Sequence, residues 1–478
     1  MTVQDVVPAR GGVRSTSALA EFVAATSYED LPEAVVEAVK KLVLDEIVVV
    51  AAAMNTPMAE ALLKLKADPG GAGEATVLVD GRRIPAANAV YIHGQLANLL
   101  DADETMHNRM HTVSASVLSG LAIAQRDGSS GKDLITAIAT GYDITSRIGA
   151  SLKQYVSDGA GGTRFAPKHG FSWMSVGAAG TVGRLLGLDA SQIARAFGQA
   201  FTTTPVYFDI QKHLRSLGRE GVPASWHKYQ MSGAYAAAGL DAAQLVSYGW
   251  VAQDDVFDEG GTFWQSFASP GVDWEALYGG LGTRWYITET SFKWYPFCRF
   301  GHQGLDIFSG IVEENALAAD DIAEVVQRII PDQLARTLAT TTYADEGLKL
   351  MASMPTALSL IAHRVPPGPR WFDDAVLNRP EVRRFAERVT AEVVDEWGPS
   401  VAEQLETEGF FAKVPTEIIV RTRSGAEFSG RAEYAHGDPW TSEHAFDYER
   451  IADKARLYLD GILPAQQIED LIGACREL

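Results

Sequence analysis

Residues 287–306 read ITETSFKWYPFCRFGHQGLD, and the character of the chain changes here. ITETSFKWY is rich in β-branched and aromatic residues and runs into Pro296, the signature of a strand. AEVVQRIIP at 323–331 is a second strand, and TEIIVRTRSGAEFSGRAEYA at 416–435 reads as a hairpin turning at Ser424-Gly425. Between them, RPEVRRFAERVTAEVVDEW at 379–397 carries a helical pattern. After Pro439 the chain returns to helical patterns, in DYERIADKARLYLDGI at 447–462 and AQQIEDLIGACREL at 465–478. The expected fold is mostly α. A large all-helical domain covers residues 1–285 and is completed by 436–478, and a smaller α+β domain is inserted over 286–435.

Upstream of that boundary the helical patterns are long. Asp30-Leu31-Pro32 offers a capping residue and an early proline ahead of EAVVEAVKKLVLDEIVVVAAA at 33–53. AANAVYIHGQLANLLD, VLSGLAIAQR and KDLITAIATGYDITSRIGASL continue the pattern from 86 to 152. One break, ATVLVDGRRIP at 75–85, sets Asp80-Gly81 between two β-prone runs and predicts a hairpin. Gly and Ala recur at helical spacing in AAGTVGRLLG and SGAYAAAGL, which predicts close helix–helix contact. A membrane-type small-residue motif does not fit segments so short and polar.

The chain has 478 residues, of which 46% are hydrophobic and 21% charged, and this excludes disorder or low complexity as its main architecture. Its 41 Lys and Arg face 61 Asp and Glu, a net charge of −20 with no basic run, so nucleic acid is excluded as a partner. An anionic ligand would have to be met by cations gathered locally in a cleft. Two cysteines, Cys298 and Cys475, speak for a reducing compartment rather than a disulfide scaffold. MTVQDVVPARGGVRSTS has no apolar run of signal-peptide type. The most apolar segment, IVVVAAAM at 47–54, is too short to span a bilayer. These features describe a soluble, cytoplasmic protein without a membrane partner.

Three polar clusters carry the possible chemistry. The densest, DADETMHNRMH at 101–111, lies between two apolar helices. Its plain structural reading is a capping loop. Its functional reading is acid–base work, in which an imidazole is oriented by a carboxylate and a hydroxyl holds a substrate. His107 and His111 also share a helical face as a metal pair would, but Asn108 stands where HExxH needs Glu, and no metal is expected. The second cluster, SFKWYPFCRFGHQGLD, gathers Lys293, Tyr295, Cys298, Arg299 and His302, either an anion site or a charged strand edge. Cys298 reads as a packed thiol, since no local signature makes it a nucleophile. The third, SWHKYQMSG at 225–233, sets Lys228 ahead of a Gly/Ala-rich helix. There it can snorkel to solvent or help the helix end hold a carboxylate. GxGxxG after a strand, GxxxxGK[ST], GxSxG and paired CxxC motifs are all missing.

In this order the clusters resemble the MmgE/PrpD family, which includes 2-methylcitrate dehydratase, cis-aconitate decarboxylase and iminodisuccinate epimerase. The likeness covers nearly the whole chain. It rests on Asp101-Ala-Asp103-Glu104-Thr105 with His111 beyond, Gly141-Tyr142, Leu185 to Leu188, Lys228 with Gly233, and Lys293, Tyr295, Pro296, Cys298 and His302. The resemblance implies a site between two domains, no cofactor, a small carboxylic acid substrate and a homodimer. It further implies removal or addition of a proton on a carbon next to a carboxylate.

By analogy His111 transfers the proton, Asp101 orients or tunes it, Thr105 bonds the substrate, and Lys228 and Lys293 hold carboxylates. Arg109, His169, Trp226, Tyr295 and His302 would line the substrate. The expected activity is that of a dehydratase- or decarboxylase-type lyase. An isomerase or epimerase using the same first step, or a binding protein on the same scaffold, is the alternative. The stretch Lys168-His169-Gly170-Phe171-Ser172-Trp173 departs from the family's usual His-bearing pattern. With Met106, Met110, Trp173 and Trp226 near the expected pocket, this points to a substrate larger, more apolar or less acidic than cis-aconitate.

Overall fold

The structure, a computed structural model, describes residues 14–107, 110–153, 155–157, 163–165, 173–205, 232–267, 271–340, 343–344, 350 and 352–478. Two hydrophobic cores organise it. The first takes residues from Ala18 to Phe292 and again from Phe446 to Cys475, and the second takes residues from Tyr295 to Val420.

The first core is built by α1 (Ser15–Ala25), α2 (Glu33–Ala53), α3 (Pro57–Lys66), α4 (Ala86–Ala97), α5 (Val113–Asp127), α6 (Gly131–Ser151), α7 (Met174–Leu185), α8 (Ala190–Thr203) and α9 (Ser232–Ser247). Helix α7 is central and touches α5, α6, α8 and α9. Its small residues allow this. A Cβ on Gly141 of α6 would collide with the Thr181 hydroxyl of α7 and stand 2.7 Å from the Gly177 carbonyl oxygen, so the close approach needs a residue without a side chain. The start of α2 differs from expectation. Pro32 takes the cap position, while Asp30 accepts from Ser27 N and Oγ at 2.9 and 2.6 Å and closes a separate turn. The hairpin at Gly81 forms, but only as β1 (Ala75–Thr76) against β2 (Arg83–Ile84). Further two- and three-residue strands are β3 (Thr105–Met106), β4 (Tyr155–Ser157) and β5 (Thr163–Phe165).

The chain crosses between the cores twice. On the outward crossing the expected strand ITETSFKWY shrinks to β6 (Thr290–Ser291), which pairs antiparallel with β3. Backbone groups on either side of β6 have different partners: Tyr286 N donates to Asp143 Oδ1 at 2.8 Å and Phe292 N to Gly437 O at 3.0 Å. The second bond joins the outward crossing to the return. Arg299 strengthens that joint with Nη2 at 2.5 Å from Asp438 Oδ1 and Nη1 at 3.0 Å from Phe292 O.

The second core lies under a sheet of order β10-β9-β7-β8, made of β7 (Ile322–Ile329), β8 (Val389–Val393), β9 (Thr416–Thr422) and β10 (Glu427–Ala432). Helix α10 (His302–Glu314) packs on β9 and β10, α11 (Met354–Ala362) packs on α10, and α12 (Pro380–Ala386) packs on α11. The helical expectation for 379–397 holds only through α12. The β-branched run after it becomes β8, parallel to β7. A buried neighbouring strand decides a segment whose own propensities are divided. The return leads to α13 (Tyr448–Tyr458) and α14 (Ala465–Arg476), which pack against α2. Among the described residues no helix is long and apolar enough to cross a membrane.

Candidate active site

The loop from α4 to α5 carries the first cluster, and its acids are fully buried. A buried carboxylate needs partners, and each acid here finds a different one. Glu104 Oε1 accepts from Thr112 N (2.7 Å), Thr112 Oγ1 (3.1 Å) and Val113 N (2.8 Å), so it caps α5. Asp103 Oδ2 accepts from His111 Nδ1 at 2.8 Å and from the Asn98 amide, whose oxygen takes the Ser232 hydroxyl. Asp101 has a left-handed backbone (φ +49°) and holds Lys293 Nζ with its backbone oxygen (2.9 Å) and with Oδ1 (2.5 Å). The register of β3 on β6 explains that meeting. It pairs Thr105 with Ser291 and brings the acidic string opposite the stretch that ends in Lys293.

Oδ or N atoms of Asp101, Asp103 and His111 lie within 4.8 Å of one another. Geometrically they could hold a cation, but the Lys293 ammonium already supplies positive charge to Asp101. His107 is no part of this group. Its Nε2 pairs with Glu289, and its ring stacks on Phe410.

A second tier of acids lies beneath. Asp45 Oδ1 accepts from Lys454 Nζ at 2.6 Å, and the same ammonium reaches Ala102 O at 2.7 Å. Glu46 is buried, and neither carboxyl oxygen has a hydrogen-bond partner among the described residues. Burial, and then the charges of Asp103, Glu104 and Asp45, push the Glu46 carboxyl well above the carboxylate range. Burial and Asp103 push Glu104 up to about 8, against the two backbone N–H groups that favour its ionised form.

Of the expected site residues, the structure gathers Asp101, Thr105, His111 and Lys293 around the β3–β6 pairing. The Thr105 hydroxyl is buried and without a hydrogen-bond partner among the described residues. Tyr295 and His302 instead join the second core. Tyr295 packs 5.8 Å from Trp371, while His302 sits 3.1 Å from Phe297 O and 3.4 Å from Arg299 Nη1. Burial, with Arg299 and Lys293 nearby, holds the His302 imidazole far below its ordinary range and therefore neutral. Cys298 is buried in that core too. Met106, Met110 and Trp173 are buried in the first core. Arg109, His169, Trp226 and Lys228 lie outside the described residues.

The reading of the sequence gave no role to Asp103, Asn98, Ser232 or Glu46, and weighed His107 only as half of a metal pair. Asp103 stood in the quoted cluster, and its spacing alone could have nominated it. Ser232 and His107 meet partners 134 and 182 residues away, which no local pattern encodes.

Comparison with known proteins finds two family domains along the chain. Residues 17–275 match the MmgE/PrpD N-terminal domain, and residues 295–478 match the MmgE/PrpD C-terminal domain. A curated relative is the cis-aconitate decarboxylase-like protein oryM of Aspergillus oryzae. It is 27% identical over 310 residues, which cover 61% of this chain and 60% of the relative. The two matched domains follow in order and together cover most of the chain, which belongs to the MmgE/PrpD family.

Proposed function

We propose that the protein is a lyase of dehydratase or decarboxylase type that acts on a small carboxylic acid and needs no cofactor. The observation that carries this reading is the buried Ser232–Asn98–Asp103–His111 chain of hydrogen bonds beside the Lys293 ammonium. With Nδ1 donating to Asp103, the imidazole has a fixed tautomer, and Nε2 is the nitrogen assigned to the substrate. In a dehydration, Nε2 takes the proton from the carbon beside a carboxylate, the electron pair forms the double bond, and the hydroxyl leaves as water once protonated. In a decarboxylation, the imidazole first takes a proton from solvent at Nε2, the bond to carbon dioxide breaks, and the imidazolium gives that proton to the carbanion.

Either path builds charge on the remaining carboxylate. An ammonium has three N–H donors. Two of those on Lys293 go to Asp101, and the third is assigned to that carboxylate, with Lys228 as the second anchor. The Thr105 hydroxyl is assigned to a substrate oxygen.

The test is mass analysis of small carboxylic acids after incubation, cis-aconitate, 2-methylcitrate and iminodisuccinate among them. Loss of water or carbon dioxide is the expected result, and it should vanish in His111→Ala. A product of unchanged mass would make the protein an isomerase or epimerase. Undiminished turnover by His111→Ala would remove the proton-transfer role.

A further inference from the structure

His107 lies four residues before His111, yet it faces a different part of the molecule. Its backbone is left-handed (φ +55°), which costs a residue with a Cβ and persists only where the surroundings enforce it. The ring is parallel to Phe410, with centroids 3.8 Å apart at 8°. It meets the edge of Tyr286 at 5.4 Å and lies 6.0 Å from Trp440. Nε2 pairs with the Glu289 carboxylate, which Arg284 grips at 3.0 and 3.2 Å.

These partners come from separate places. Tyr286, Arg284 and Glu289 belong to the outward crossing, Phe410 to the small domain, and Trp440 to the return. One imidazole therefore touches both connections between the cores and the domain they carry.

Its place in the register gives the arrangement a purpose. Strand β3 pairs Thr105 with Ser291 and Met106 with Thr290, so the next rung in the same count is His107 with Glu289. Counted the other way, the same register leads to the acids and Lys293. Met106 and Met110 bond each other's backbones at 2.7 and 3.1 Å, which carries the constraint on to His111. A slip at the His107–Glu289 rung would thus move His111 and Lys293 relative to each other.

We propose that His107 is a positioning residue, which by locking its ring on Phe410 and Glu289 sets the spacing of His111 and Lys293. The proposal rests on the proton-transfer reading of His111.

His107→Gln, His107→Phe and Glu289→Gln separate the two halves of the lock: Phe keeps the stack, while the Gln variants keep size and polarity. The expected kinetic result, on the acid found by mass screening, is a fall in kcat of about 10- to 100-fold. KM stays within about threefold, because the substrate anchors are intact. Amide exchange at Met106 and Met110 should quicken in all three variants, while the amides of α6 and α7 exchange as in the parent. Unchanged exchange at Met106 and Met110 overturns the lock, whatever the activity. Quickened exchange with unchanged kcat shows a purely structural contact and overturns the positioning role. His111→Ala distinguishes the failures: if it retains turnover, the functional reading falls, and the exchange measurement still decides the lock.

Discussion

Asp101 and Asp103 are two residues apart and both buried, yet they meet opposite needs. Asp101 compensates Lys293, and Asp103 steers His111. Their amides should therefore fail differently. Asp103→Asn keeps the shape but presents a donor to Nδ1, and should lower kcat about 10²- to 10⁴-fold with the fold retained. Asp101→Asn leaves a buried ammonium without its counter-charge and should cost about 3–5 kcal/mol of stability. Steady-state kinetics and denaturant midpoints on the pair check this, and equal behaviour would refute the division of labour. The sequence displayed the acids, the imidazole and the lysine, but not which acid takes which cation. That assignment depends on the left-handed turn at Asp101, which a residue name does not reveal. His93 offers a pH test. Its Nε2 accepts from Leu78 N at 3.0 Å, and burial holds its pKa at about 4 rather than 6.5. The unfolded chain binds that proton first, so stability should fall as pH drops from 6.5 towards 4, by up to about 3 kcal/mol. His93→Gln should flatten that part of the stability–pH curve, and an unaltered curve would contradict it.

Helices with strong 3.6-residue periodicity were readable because one face of each is buried whatever its neighbours are. The residues 389–393 were not, because the run VTAEV suits a helix end and a strand alike, and only β7 alongside decides. The small-residue runs of α7 and α9 were legible as contact stretches, whereas the approach of Gly141 in α6 to Gly177 was not, and that approach makes a quantitative prediction. A Cβ on Gly177 would stand 2.8 Å from the Gly141 carbonyl oxygen, whereas one on Gly310 of α10 would meet nothing within 4 Å. Gly177→Ala should therefore destabilise by about 1–3 kcal/mol through overpacking. Gly310→Ala should stabilise by about 0.5–1 kcal/mol through helix propensity and a stiffer unfolded chain. Denaturant unfolding of both variants gives the signs, and the same sign for both would refute the close-approach account.

At the scale of the whole molecule, the C-terminal helix α13 reaches the candidate site. Lys454 of α13 reaches 409 residues back to Asp45 and 352 back to Ala102 O, beside the acids that hold His111 and Lys293. A return of the chain to helix was visible in the sequence, but its destination was not, since a contact this distant leaves no periodic trace. The pair is fully buried, and burial pushes Asp45 upward even against the pull of Lys454, so each charge depends on the other. Lys454→Met should then cost about 3–5 kcal/mol by stranding Asp45. Adding Asp45→Asn to it should restore most of that loss, because the stranded charge is gone. The contact with Ala102 O is not restored by the double variant, so its kcat should stay below that of the parent while its stability recovers. Measuring stability and turnover on the parent and both variants separates the two jobs of this lysine. Full recovery of both would show that the tail only stabilises the core and leaves the active loop to itself.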